Sequence, residues 1–270
     1  METVVIYQSM GDMLRCVEAS PRHHLPRNEF GGYKSTREAC EYIRQGATPQ
    51  ECERTQALLS KINDTVQHRQ KMQTVAAPSG SRVVVPDVLA GMPFPMRRRV
   101  SVSHDLAPVR IVVETLVSSG VTVRQLEKRG AALAALAMRL SETRPVELWA
   151  SWGGRIRRHD AIGRVKLDTN PLTLAEVVAV VTTPLFARNV VYAQNLTQAG
   201  ETYEYESWDW AWNRSPDNEA RDTRMREALR LEPQDIFIPG GYLSEADQFA
   251  SDPVAWVESY VANQRETEHA

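Results

Sequence analysis

Residues 108–115 read PVRIVVET, and this octapeptide decides the fold. It is an apolar, β-branched run with little polar alternation, the signature of a strand buried on both faces. A short polar turn follows at residues 117–120. Thr122 and Gln125 then form a capping-box pattern for a helix over about residues 123–141. Leu126, Leu133, Ala137 and Leu140 share one face of that helix, and Gly130 on it allows close approach to a sheet. Arg144-Pro145 ends the helix, and residues 146–152 (VELWASW) read as the next strand. A strand–helix–strand unit of this kind is parallel and right-handed.

Downstream, Gly153-Gly154 read as turn glycines. The runs 155–159 and 163–167 read as edge-strand material around a turn. Thr169-Asn170-Pro171 opens a helix over residues 172–181, and Thr183-Pro184 opens another over about residues 185–196. Ser215-Pro216 caps a further helix to about residue 231. Residues 235–239 (DIFIP) form a last short strand, and Asp252-Pro253 opens a C-terminal helix. Residues 108–265 therefore read as an α/β, three-layer domain with a mostly parallel sheet.

Upstream, residues 1–100 read as a helical N-terminal extension. Ser35 and Glu38 form one capping box, and Gly46 stops the helix that follows. Thr48-Pro49-Gln50-Glu51 forms a second, with Pro at the first helical position, for a helix reaching about residue 73. Residues 76–81 are a small-residue linker, residues 83–85 a short strand, and residues 86–99 (PDVLAGMPFPMRRR) a structured loop rich in Pro.

The chain has 270 residues and a formal net charge of -2, with 42% hydrophobic and 24% charged residues. These fractions exclude wholesale disorder. Near-neutrality excludes a nucleic-acid coat protein, which would be strongly basic. No apolar run reaches membrane-spanning length and no signal peptide is evident, so a cytoplasmic protein is expected. The cysteines, Cys16, Cys40 and Cys52, form no CxxC and are odd in number, as in a reducing compartment. Their distances from His23 and His24 do not match structural zinc spacing, so they read as small hydrophobes.

Three groups of residues could carry function. Glu114, Thr115, Ser118 and Ser119 lie at the C-terminal end of the first buried strand, where open α/β sheets bind ligands. The helix beginning near Thr122 adds free N–H groups there, suiting a weak cation or anion site; the plainer alternative is helix capping. Arg97, Arg98 and Arg99 form one basic cluster, and Arg155, Arg157 and Arg158, with His159, Arg164 and Lys166, form another. Either could contact phosphate, or simply guard a solvated edge strand. Tyr203, Tyr205, Trp208, Trp210 and Trp212 alternate with acidic residues, as a partner-binding surface or as packing under a loop. The chain lacks GxxxxGK, GxGxxG, HExxH and GxSxG, so catalysis is not expected.

The order of these elements resembles a von Willebrand factor A-type domain, a Rossmann-like fold. Such domains bind a divalent cation through Asp-x-Ser-x-Ser at the end of the first strand. Oxygen ligands on a strand-to-helix turn suit magnesium. Here the stretch is Glu114-Thr115-Leu116-Val117-Ser118. Glu114 stands for the Asp, Ser118 keeps the last Ser, and Leu116 cannot ligate, so the implied site is degenerate. The resemblance also implies Thr169 and Asp235 as further ligands, and an AAA-type ATPase as a partner. Separately, PDVLAGMPFPMRRR, PVRIVVET and RQLEKRGAALAALAMRL with VELW resemble a family of uncharacterised tailed-bacteriophage proteins. That likeness implies a phage origin and the host cytoplasm. The expected function is a protein-interaction module with no cofactor. The alternatives are a nucleic-acid-associated protein using the Arg-rich edges, or an α/β enzyme dependent on Mg at Glu114.

Overall fold

The fold is taken from a computed structural model. It describes residues 2–20, 34–65, 72–77, 82–90, 92–93, 96–101, 108–117, 121–141, 144–156, 159–167, 173–199, 218–240, 252, 255–257 and 259. The octapeptide forms β5 (Val109–Glu114). It lies inside a five-stranded sheet with β1 (Glu2–Tyr7), β6 (Val146–Ile156), β7 (His159–Lys166) and β8 (Ile236–Ile238). The order is β1-β7-β6-β5-β8. Three of the four ladders are parallel, and only β6 and β7 run antiparallel. Val109, Ile111, Val112 and Val113 are all fully buried, as a strand covered on both faces requires.

Helices cover both faces. On one lie α1 (Met10–Glu18), α2 (Thr36–Gln45), α3 (Pro49–Thr65) and α5 (Val123–Ser141). The helical segments between residues 174 and 199 share that face. Ile111, Val113, Leu148 and Trp152 join Leu14, Ile43, Leu133 and Val190 in its core. The opposite face is smaller: Val112, Trp149, Ile162 and Phe237 pack against Met225 and Leu229, at the end of α8 (Asn218–Ala228). The architecture is thus α/β, with a mixed, mostly parallel sheet, compatible with a Rossmann-like fold.

The expected parallel unit, β5–α5–β6, is present, as is β8. Gly130 serves close packing, but against a helical neighbour and not the sheet: a Cβ there would lie 2.4 Å from Thr182 Cγ2. All three capping boxes form. Ser35 and Glu38 exchange side-chain and backbone bonds, and the Thr48–Glu51 and Thr122–Gln125 pairs do the same.

Several boundaries differ from the sequence reading. Residues 1–100 are not only a helical extension: β1 hydrogen-bonds along β7 from Glu2↔Asp160 to Tyr7↔Val165 and forms one edge of the central sheet. β7 is therefore an interior strand, not an edge. Gly153 and Gly154 are not in a turn; they pair with Ile162 and Ala161 inside a long β6–β7 hairpin. The helix from Pro49 spans Pro49–Thr65 among the described residues, and it does not reach residue 73, because residues 72–77 form β2 (Met72–Ala77). The loop expected at residues 86–99 instead contributes to α4 (Val85–Leu89) and to β4 (Met96–Ser101). With β3 (Arg82–Val83), these strands make a second sheet in the order β2-β4-β3. Cys16 is exposed, Cys40 buried and Cys52 between; all three are free. Burial pushes the Cys40 thiol up to about 12, so it behaves as a small hydrophobe.

Candidate functional site

The segment after β7 shapes the site. Its sequence, LAEVVAVVTTPLFARNVVYAQNL, is an apolar helical run broken at Thr183-Pro184. It starts as α6 (Leu174–Val177), continues as a π-helical turn (Val178–Thr182), and stops. Thr182 and Thr183 donate their hydroxyls to the carbonyls of Val178 and Ala179, at 2.7 and 2.6 Å. Such back-bonding bends helices. Thr183 is extended (φ -113, ψ 148), as the residue before a proline prefers. A second π-helical stretch (Phe186–Val191) and α7 (Tyr192–Ala199) then leave at 61° to the first arm. π-helical turns are costly local geometry and recur at functional sites.

The elbow opens beside the C-terminal end of β5. A cleft of about 180 Å³ lies between it and the start of α5, lined by Thr115, Val117, Val123, Leu126, Pro184 and Arg188 among others. Its walls are mainly apolar. Thr115 Oγ1 donates to the Ser151 carbonyl at 3.1 Å, and Thr183 Oγ1 is committed to Ala179. Among the described residues, Arg188 is the one charged residue lining the cleft. Burial pulls its guanidinium below the ordinary Arg range. The cleft also sits where the chain order turns: α5 carries it from β5 to β6 on one side, and β8 flanks β5 on the other. That is the position at which open α/β sheets place ligands.

Glu114 is not in this cleft. Strand alternation puts it on the Val112 face, opposite Val113 and Ile111. It is fully buried, and its Oε2 accepts the Gly240 N–H at 2.7 Å. Gly240 comes so close that a Cβ there would lie 2.1 Å from the Leu116 carbonyl oxygen and 2.9 Å from Glu114 Oε2. The carboxylate therefore ties the segment after β8 to the end of β5. Leu116 is likewise fully buried.

Asp235 lies elsewhere. Ile236 pairs with Ile111, so Asp235 sits beside Arg110, at the other end of the ladder from Glu114. Four residues of strand separate the two, about 13 Å at about 3.3 Å each. Asp235 binds Arg110 Nη2 at 2.8 Å and accepts the backbone N–H groups of Arg110 and Glu232 at 3.1 and 2.8 Å. Ser118 and Thr169 lie outside the described residues. Among the described residues no three His, Cys, Asp or Glu side chains converge as a metal-binding group would.

The basic clusters part company. Arg97, Arg98 and Arg99 are on β4, the middle strand of the small sheet, opposite Ala76, Val75 and Thr74. Arg155 is the last residue but one of β6, opposite Asp160, while Arg157 and Arg158 lie outside the described residues. Arg164 and Lys166 are no free basic edge, because β1 covers β7. Arg164 is buried with its guanidinium 4.5 Å from the centre of the Trp149 ring, and Lys166 binds Glu147 at 2.5 Å. Burial raises the Glu147 carboxyl, but hydrogen bonds from Lys166 and Trp149 outweigh it and hold the group below its usual range. Burial, then repulsion from Arg110, lowers Arg164. The aromatic group Tyr203, Tyr205, Trp208, Trp210 and Trp212 lies outside the described residues.

Arg188 escaped the sequence reading. Its signal was present: a lone cation in an apolar helical run, four residues after a Thr-Pro break.

A family model described as Domain of unknown function (DUF7192) matches residues 2–264. No curated protein matches the chain, and no solved structure matches it. No single helix among the described residues is long and apolar enough to cross a membrane.

Proposed function

We propose, from the premise that the chain belongs to the DUF7192 family, that it is a non-catalytic protein-interaction module with a degenerate von Willebrand A-type core, working in a phage setting. The order β5, α5, β6, antiparallel β7, helices and β8 supports the core assignment. The observation that carries the functional reading is the state of Glu114. Its carboxylate is buried and bonded to the Gly240 N–H, and Leu116 beside it offers no oxygen. The position that would lead a cation site is occupied as a structural tie. An AAA-type ATPase is the proposed partner, acting in the cytoplasm of the host.

The tests are direct. A metal present at 100 times its dissociation constant adds about 2.7 kcal/mol, which raises Tm by roughly 5–10 °C in a chain of this size. With millimolar Mg²⁺ or Mn²⁺ the expected change here is about 1 °C or less, set against that linkage effect. A rise of the full size argues for the metal-dependent alternative, with Mg at Glu114. Affinity purification of the tagged full chain from its native cell should yield a stoichiometric protein partner; elution of the chain alone counts against the interaction reading.

One observation favours a second reading. Three consecutive arginines, Arg97, Arg98 and Arg99, occupy the central strand of the small sheet. Neutralising phosphates releases counterions, so nucleic-acid binding through them predicts heparin retention that weakens with salt. Retention at low salt that drops in the triple variant R97Q/R98Q/R99Q supports this use. Flow-through of the wild type removes it.

A further inference from the structure

We propose that α4 and the turn after it are a docking surface for a protein partner whose matching surface is an apolar groove with an acidic rim. The inference deepens the interaction reading by naming the surface, and it rests on that reading for the existence of a partner.

The pattern comes first. Val85, Val88, Leu89 and Met92 recur at i, i+3, i+4 and i+7, the spacing of one helical face. Pro86 sits in the first turn of α4, where its fixed φ favours a helix. A face of this kind is ordinarily turned into a core. Here it is turned outward: Leu89 is 83% exposed and Val85 61%, and Val83, Val88 and Met92 are each about half exposed. Eight large hydrophobic residues are exposed among the described ones, and these five fall between residues 83 and 92. Single exposed hydrophobics are ordinary, whereas a group of them marks an interaction site. None of the described residues of β2, β3, α4 or β4 belongs to either core cluster, so packing on the central sheet does not account for this face.

Charge selects the partner. β3 leads directly into α4, and it pairs with β4 through Arg82↔Arg97 and Val83↔Met96. Arg98 and Arg99 follow along β4. Residues 82–99 hold four arginines and one acid, Asp87. Successive strand positions alternate between faces, so three arginines in a row set a cation position on each face of the small sheet. The apolar stripe therefore has basic flanks. Carboxylates around an apolar contact complement them and orient the encounter.

Other occupants fit less well. The stripe has the spacing of helical anchors that enter a groove. Its five side chains expose on the order of a few hundred Å², less than the roughly 800 Å² per partner of a standard interface, so it suits a local groove. A second copy docked by two-fold symmetry sets the arginines of one surface against those of the other. Membrane-surface helices spread a long apolar face with Trp, Phe and Leu over the interface, and the five residues of α4 carry no aromatic.

The test uses the tagged full chain in its native cell, with photoreactive benzoylphenylalanine in place of Leu89 or, as an exposed control on α5, of Met138. Irradiation should join one protein to position 89 and little to position 138. Mapping of the adduct should place the cross-link in an apolar stretch flanked by Asp or Glu. With that partner purified, Leu89→Asp should weaken binding about tenfold or more, the scale of one buried Leu. R97Q/R98Q/R99Q should weaken it as well and flatten its salt dependence. The Tm of L89D should stay within about 2 °C of wild type, as for a surface substitution.

A partner held equally by wild type and folded L89D overturns the surface and leaves the interaction reading standing. Absence of any protein partner, by cross-linking and by affinity capture of the wild type, removes that reading and this surface with it. An adduct between two copies of the chain overturns the choice of partner. So does sedimentation with vesicles of equal parts phosphatidylcholine and phosphatidylserine that is lost in L89D. Binding untouched by R97Q/R98Q/R99Q overturns the acidic rim.

Discussion

Replacing Asp235 with Ala is expected to lower the unfolding free energy by about 3–5 kcal/mol, the cost of breaking a buried ion pair from one side. The Asp235 side chain is wholly buried, and Arg110 is 22% exposed. Three donors converge on the carboxylate: the Arg110 guanidinium and the backbone N–H groups of Arg110 and Glu232. Ala leaves all three without it. Asp235 also offsets the repulsion between Arg110 and the buried Arg164, so its loss reaches the neighbouring strand β7. Asn keeps an acceptor oxygen and should recover part of the loss. Urea unfolding of the wild type, D235A and D235N measures this. A D235A loss below about 1 kcal/mol, the scale of an ordinary hydrogen bond, removes the structural assignment of Asp235.

The register of β8 explains why the sequence reading sets Asp235 in the wrong neighbourhood. The strand at residues 235–239 was readable from its apolar run, and so were β5, α5 and β6, because burial on both faces and capping boxes are local signals. The register of β8 against β5 is not local. Only the pairing Ile111↔Ile236 reveals that Asp235 lies at the far end of the ladder from Glu114.

β1 was missed for a related reason. Its residues, Thr3 to Tyr7, are β-branched and apolar enough, but a single terminal strand has meaning only once its partner β7 is known. Without it, Arg164 and Lys166 looked like a guarded edge. The candidate cleft was half legible. Thr183-Pro184 marks the break, but the 61° turn that opens a space beside β5 depends on what the second arm packs against.

Glycine gave the most misleading local signal, and the second large effect follows from it. Trp152→Ala is expected to cost about 3–5 kcal/mol, as for other buried Trp truncations. Trp152 is fully buried, meets Phe186 edge-on with ring centroids 6.2 Å apart, and donates its Nε1–H to Asn195 Oδ1 at 3.0 Å. Its indole lies directly over Gly163, its cross-strand partner on β7, where a Cβ would stand 2.3 Å from Cζ2. Gly163 is therefore a place for the ring to rest. Gly163→Ala alone should cost about 1–3 kcal/mol by overpacking. Combined with Trp152→Ala, however, the added methyl meets empty space, so the double variant should be no less stable than W152A and could regain a few tenths of a kcal/mol of strand preference. A coupling of about 1 kcal/mol or more in the double-mutant cycle is the expected reading. Strict additivity would mean that the ring does not occupy the space above Gly163, and would undo the account of how the β6–β7 hairpin seats its largest side chain.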